Sequence, residues 1–246
     1  MNYLWYILLL PVAAVFLFIL FIFLYTLTVN KNKPIEKQDK FCRWVIDNVI
    51  PVFNWLCGVR LSVSGLEKLP KDERFVAVSN HRSMFDPTTA IHAFKGYNVA
   101  YVSKPENFKL PLVGSYMHGI GSLPVDRDND RQALRDILKA ADYVKSGMCS
   151  MCIYPEGTRG DGKELLPYHA GSFKLAQRAD TGLAIVATYG TENVKRNLFF
   201  KKTKVGFDIL EFIPAQEVKA KKASELAEYS MRIVAEHLAK KERQNG

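Results

Sequence analysis

Acidic residues are in short supply in this chain, and cysteines are scarcer still. Against 34 Lys+Arg stand 25 Asp+Glu, leaving a net charge of +9 and a pI near 9.3. An imbalance of that sign points to an anionic partner, either nucleic acid or a membrane surface. The four cysteines, at 42, 57, 149 and 152, are too few for a disulfide framework. Cys149 and Cys152 form a lone C-x-x-C with no second pair. Their flanks, Met148, Met151, Ile153 and Tyr154, read as a buried strand, so the pair is expected to pack rather than bind metal. No convincing metal-ligand spacing occurs elsewhere, and neither an internal repeat nor a low-complexity tract is present.

The most informative absence is local. Residues 2–30 contain no Asp, Glu, Lys, Arg or His, and from Tyr3 to Val29 they are almost wholly apolar or aromatic. About 20 apolar residues suffice for a helix to cross a bilayer. A cleaved signal peptide fits poorly, because the run is too long, lacks a basic leader and is followed by no A-x-A site. Pro11 would kink such a helix without forbidding it. Lys31, Lys33, Lys37 and Lys40 follow the run while only Met1 and Asn2 precede it. The positive-inside bias therefore places the remainder in the cytoplasm, behind a single-pass anchor in the cell membrane. The membrane also answers the charge question: the chain lacks the aromatic-basic pattern of a nucleic-acid binder, so phospholipid is expected and nucleic acid is not.

Three regions follow: an anchor over 1–30, a linker with an amphipathic interfacial helix over 31–58, and a domain over 59–246. Phe41, Trp44, Val45, Val49, Val52, Trp55 and Leu56 recur at helical spacing, with Trp at the headgroup-seeking positions. The same stripe would equally pack on the domain core, and Pro51 argues against one straight helix. Farther on, apolar runs at 75–79, 98–102, 121–125, 148–154, 183–188 and 205–213 read as strands. Helical patterns lie between or after them, at 130–145, 171–178 and 224–240. In the first of these Leu134, Ile137, Leu138, Ala141 and Val144 share a face, and Gly147 follows as a stop. This alternation predicts an α/β fold with a largely parallel central sheet flanked by helices.

Four polar segments follow strand ends, where α/β sheets tend to place their sites. The first, Ser79-Asn80-His81-Arg82-Ser83-Met84-Phe85-Asp86-Pro87, sets Asp86 five residues after His81. A histidine can take a proton near neutral pH, and a carboxylate can fix its tautomer. Asp86-Pro87 would also start a helix with no chemistry attached. The second, Tyr154-Pro155-Glu156-Gly157-Thr158-Arg159-Gly160, combines glycines that open the backbone to an anion with an arginine that can fork onto phosphate. The third, 121–127, ends in Arg127, for which a salt bridge to Asp126, Asp128 or Asp130 is the plain alternative. The fourth, Ser103-Lys104-Pro105-Glu106, offers Lys104. A further basic group, Lys195, Arg196, Lys201, Lys202 and Lys204 around Phe199 and Phe200, would suit anionic lipid or an ordinary solvated hairpin.

The order N-H-x-S-x-x-D, S-K-x-E, G-x-x-x-x-D-R and P-E-G-T-R resembles the glycerolipid acyltransferase family, whose best-known members are 1-acylglycerol-3-phosphate acyltransferases. The resemblance runs from about Val59 to Ile213. It implies His81 as general base, with Asp86 orienting it. Lys104, Arg127 and Arg159 would bind the acceptor's phosphate, with Glu156, Gly157 and Thr158 shaping that pocket. It further implies a ternary complex in which the sn-2 hydroxyl of 1-acylglycerol 3-phosphate (lysophosphatidic acid) attacks the thioester of acyl-CoA or acyl carrier protein, giving phosphatidic acid with neither metal nor cofactor. The absence of a G-x-S-x-G elbow agrees with a route lacking an acyl-enzyme. Glycerol 3-phosphate or another lysophospholipid remains an alternative acceptor, and a non-catalytic lipid binder an alternative class. Two departures from the family pattern, Ala187 in place of a proline and Tyr168-His169 in place of an aromatic-lysine pair, bear on the acceptor. His169 is expected on an exposed turn, and His92, His118 and His237 are expected to be structural.

Overall fold

The computed structural model describes residues 4–31, 33–126, 129–160, 164–198 and 200–245. The chain opens with α1 (Leu4–Tyr25) and α2 (Lys40–Leu56), followed by β1 (Val59–Ser64), β2 (Phe75–Ser79) and α3 (Asp86–Ala93). Next come β3 (Val99–Ser103), α4 (Pro105–Lys109), α5 (Val113–Gly119), β4 (Leu123–Pro124), α6 (Asp130–Lys145) and β5 (Ser150–Ile153). The last part holds α7 (Lys174–Ala179), β6 (Gly182–Tyr189), α8 (Val194–Asn197), β7 (Thr203–Ile213), α9 (Ala215–Ala220) and α10 (Ala223–Asn245).

All seven strands join one sheet in the order β1-β7-β6-β2-β5-β3-β4. Pairing is parallel except between β6 and β7, so the sheet is largely parallel, as predicted. The central strands bury both faces, which is why they read as unbroken apolar runs. Strand alternation divides their side chains. Val76 and Val78 of β2 face a core built with α6, α7, α9 and α10, whereas Phe75 and Ala77 face one built with α2, α3 and α5. The molecule is thus helices, sheet and helices in three layers.

Adjacent strands send their chains to opposite layers. β2 leads into α3, whose Ala90 and Ala93 lie in one core, while β5 leads toward α7, whose Leu175, Ala176 and Ala179 lie in the other. Loops that part in this way open a crevice at the strands' carboxyl ends.

Several local expectations are corrected. β1 was not foreseen, because its Val-Arg-Leu-Ser-Val-Ser alternation is that of a half-exposed edge strand rather than a buried run. The 121–125 run shrinks to the two-residue β4 at the opposite edge. The 171–178 run begins as a 3-10 turn, Ala170–Ser172, before α7. On α6, Ile137, Ala141 and Val144 are buried, but Leu134 and Leu138 at the side of the stripe remain half exposed. α2 runs unbroken through Pro51. The missing N–H costs one helical bond, and the segment beyond it is tied down by Asn54, whose Nδ2 donates to Thr88 O at 2.9 Å.

The 39–56 stripe divides between two faces of α2, one packed in the core and one exposed. Cys42, Val45 and Ile46 sit in the core, while Trp44, Val52, Phe53, Trp55 and Leu56 are exposed. α1 leans on the first turns of α2 through Phe18 on Trp44 and Phe21 and Tyr25 on Phe41, with ring centroids 6.2, 5.3 and 4.3 Å apart. The Tyr25 hydroxyl donates to Asp39 at 2.8 Å, and Asp39 caps α2 by accepting from Cys42 N at 2.8 Å. The 22 residues of α1 extend about 33 Å at 1.5 Å per residue, enough for a bilayer's hydrocarbon core.

At the other end, α10 is fastened through buried Asp208 on β7. Its carboxylate accepts from Ser64 Oγ at 2.7 Å, shares a 2.8 Å hydrogen bond with His237 Nε2, and lies 3.3 Å from Lys241 Nζ. Burial by itself would raise this carboxyl's pKa. The hydrogen bonds from Ser64 and His237 and the Lys241 ammonium outweigh it, and the group sits below the ordinary carboxylate range. Near pH 7, Asp208→Asn is therefore expected to cost about 1–3 kcal/mol. Because the folded pKa is depressed, this stabilisation is present above the unfolded value of about 4 and is lost as pH falls through the folded one. Melting curves of parent and variant should converge in acid; a gap that persisted there would show that charge is not what holds α10.

Candidate active site

The β2–β5 crevice contains the two most specific sequence segments. Val78 pairs with Ile153, so Ser79-Asn80-His81 leaves the sheet beside Tyr154-Pro155-Glu156. The His81 ring stacks on Tyr154, with centroids 4.4 Å apart and planes 24° from parallel. His81 N donates to Glu156 Oε1 at 2.6 Å, and His81 O accepts from Gly160 N at 3.1 Å. The second Glu156 oxygen accepts from Leu166 N at 3.0 Å. Glu156 thus staples both loops with one carboxylate. Its burial pushes its pKa up, against the pull of the two amides.

Asp86 is completely buried. Its Oδ2 meets His81 Nδ1 at 2.8 Å and accepts from the Arg82 and Ser83 amides, each at 2.7 Å. Oδ1 accepts from Thr191 Oγ1. Asp86 does open α3, with Pro87 in the first turn, but its carboxylate is turned to these four donors rather than to a cap. A carboxylate so placed makes Nδ1 the protonated ring nitrogen and leaves Nε2 as a base. Among the described residues Nε2 takes no hydrogen bond, and the His81 side chain keeps 16% of its surface open. The geometry is that of a general base with its orienting carboxylate.

Thr191 and Thr188 are the functional neighbours that sequence reading missed. The Asn80 amide bonds the Thr188 backbone in both directions, at 2.8 Å each, extending the β2–β6 pairing past the strand end. Thr191 follows Gly190, whose φ of +85° turns the chain back after β6. More than a hundred residues separate both threonines from their partners, so no spacing pattern could reveal them.

The cations expected at the acceptor phosphate are less gathered. Lys104 is exposed at the start of α4, two strands along the same edge from β2, roughly 10 Å at ordinary strand spacing. Thr158 and Arg159 are exposed on the loop after β5, where Gly157 adopts φ +75° and its N donates to Tyr154 O at 3.1 Å. Arg127 and its neighbour Asp128 lie outside the described residues, as does Phe199 of the basic segment; Phe200 there is almost fully exposed. His169 is exposed, as expected. Of the other histidines, His237 serves the Asp208 cluster, while burial depresses His92 and His118. Cys149 and Cys152 project into opposite cores and cannot share a ligand; burial lifts both thiols, Cys149 to about 12.

Thr191→Val removes one donor from buried Asp86 and is expected to cost about 1–3 kcal/mol, read from denaturant melts. Thr191→Ser should recover most of the loss; if the valine protein melted like its parent, the hydrogen bond would have no energetic role.

Comparison with known proteins agrees with this geometry. The acyltransferase family model matches residues 60–189, more than half of the chain and inclusive of both crevice segments. A 1-acyl-sn-glycerol-3-phosphate acyltransferase of Borreliella burgdorferi is 30% identical over 144 residues, covering 58% of this chain and 57% of that protein. Another, of Salmonella typhimurium, is 30% identical over 162 residues, covering 66% and 62%. The match thus spans about three fifths of these relatives' length. The crystal structure of the 1-acyl-sn-glycerophosphate acyltransferase PlsC from Thermotoga maritima shares the fold, with TM-score 0.66 at 23% identity over 94% of this chain and 95% of that one. With the family model spanning the His81–Asp86 pair and the Glu156 loop together, the chain belongs to the acyltransferase family.

Proposed function

We propose that this protein transfers an acyl group from acyl-CoA or acyl carrier protein to the sn-2 hydroxyl of 1-acylglycerol 3-phosphate, giving phosphatidic acid. The observation that carries the reading is His81 Nε2, unengaged among the described residues while Nδ1 is held by a fully buried Asp86 carboxylate that also accepts from two backbone amides and the Thr191 hydroxyl. Nε2 takes the proton of the acceptor hydroxyl as its oxygen attacks the thioester carbonyl. A C–O bond forms, the tetrahedral oxyanion collapses, the C–S bond breaks, and the imidazolium returns its proton to the departing thiolate. Asp86 stabilises the imidazolium in between. Lys104, Arg127 and Arg159 receive the acceptor's phosphate, with Glu156, Gly157 and Thr158 shaping the loop that carries Arg159.

The acceptor and product live in a bilayer, and the donor is water-borne. α1 serves as a single-pass anchor, and Lys31, Lys33, Lys37 and Lys40 hold the domain on the cytoplasmic face. The exposed Trp44, Phe53, Trp55 and Leu56 of α2 lie at the headgroup level beside it.

Purified in detergent and supplied with either donor and 1-acylglycerol 3-phosphate, the protein should form phosphatidic acid, scored by mass spectrometry. His81→Ala should lower kcat by roughly 100- to 10,000-fold, the usual contribution of a positioned base, while lysolipid binding persists. Arg159→Ala should raise the acceptor KM at least as much as it lowers kcat. Near-parental turnover by His81→Ala would remove the base assignment, and no product with either donor would remove the reaction.

A further inference from the structure

A second basic site lies on the other flank of β2. β2 divides the edge of the sheet: the segments bearing Lys104 and Arg159 follow β3 and β5 on one side. On the other side, at the same edge, a cleft of about 640 Å³ opens between β6, β7, β1 and the end of α10, within the size range of small-ligand sites. Its cations are Arg60, Arg82, Lys204 and Lys241, set against two carboxylates, Glu192 and Glu242.

These cations are not equivalent. Lys241 is spent partly on Asp208 at 3.3 Å and lies 5.2 Å over the Tyr189 ring. Arg82, next in sequence to His81, is nearly buried and faces Glu242 at 3.3 Å and Glu192 at 3.9 Å. Arg60 and Lys204 are register partners on the parallel pair β1 and β7, and neither makes an ion pair among the described residues. Like charges directly abreast on neighbouring strands repel. An anion held between them would convert that cost into binding. Gly206 lies under the Tyr189 ring, where a Cβ would come within 2.0 Å of it, so the missing side chain lets Tyr189 pack flat against β7 as part of the cleft lining.

We infer that this cleft receives the phosphate-bearing end of the acyl donor, the phosphopantetheine phosphate common to coenzyme A and acyl carrier protein. The inference rests on the reaction proposed above. A ternary complex needs two anionic substrates to approach one base from different sides. Lys104 and Arg159 lie on the β5 and β3 side of His81, and Arg60, Lys204 and Lys241 line the cleft on the other. Arg82 joins the cleft to the loop of His81, so a thioester arm leaving the cleft along Arg82 reaches the crevice from the side opposite the acceptor.

The test is charge reversal at two strand-surface positions in the full-length protein in detergent. Arg60→Glu/Lys204→Glu should raise the KM for acyl-CoA by roughly ten-fold or more, with the KM for 1-acylglycerol 3-phosphate moving less than about two-fold. Glu242→Gln should shift the donor KM the opposite way. Running acyl-CoA and acyl carrier protein in parallel separates the sources: a defect with both places the shared phosphate in the cleft, and one confined to acyl-CoA places the nucleotide's phosphates there. Arg60→Gln/Lys204→Gln serves if the reversal melts early. Fluorescence titration of free coenzyme A into His81→Ala protein, with and without the reversal, reads the cleft without turnover. Binding lost on reversal supports the inference even if the parent proves inactive, which would overturn only the proposed reaction. Unchanged donor KM and unchanged coenzyme A binding, or a rise confined to the acceptor KM, would overturn the cleft assignment.

Discussion

A carboxylate with no access to water must find its hydrogen bonds inside the protein, and Asp86 is such a carboxylate. Its four donors come from its own loop and from the turn after β6, so β2 and β6 must lie side by side before it can be satisfied. The same requirement fixes His81: once Asp86 is in place, the ring's tautomer and orientation follow. Glu156 closes the arrangement from the β5 side by accepting from His81 N. The crevice is therefore held together through buried carboxylates rather than through side chains reaching in from solvent, and His81 is fixed from the β2, β5 and β6 sides at once.

The sheet order gives that rigidity its use. Because β2 is flanked by β5 on one side and β6 on the other, whatever approaches His81 meets loops of different character on each flank. Toward β5, β3 and β4 lie glycine-bearing and lysine-bearing turns at strand ends. Toward β6, β7 and β1 lies an open cleft floored by Tyr189 and edged by paired cations. The helices above the other core, α2 with α1 leaning on it, put an apolar face to the outside in continuity with the apolar α1.

Much of this was legible in the residues. The uncharged N-terminal run, the buried central strands and the span of α6 follow from apolar periodicity, because burial on both faces or on one stripe leaves a period in the sequence. His81 and Asp86 stood out for their types and spacing at a strand end, since a short loop brings near neighbours together whatever the rest of the fold does, while Glu156 entered only through the family resemblance. The acyltransferase resemblance followed from the same segments. What the sequence could not decide depends on strand order. The Val-Arg-Leu-Ser-Val-Ser alternation suits a half-exposed strand but carries no sign that β7 is its neighbour, so the Arg60–Lys204 pair was invisible. Thr191 on Asp86 and Thr188 on Asn80 are long-range contacts whose partners are chosen by sheet register. The two faces of α2 were equally ambiguous, because the same apolar stripe suits a core and a bilayer, and only the packing of Cys42, Val45 and Ile46 under the sheet separates the buried side from the exposed one.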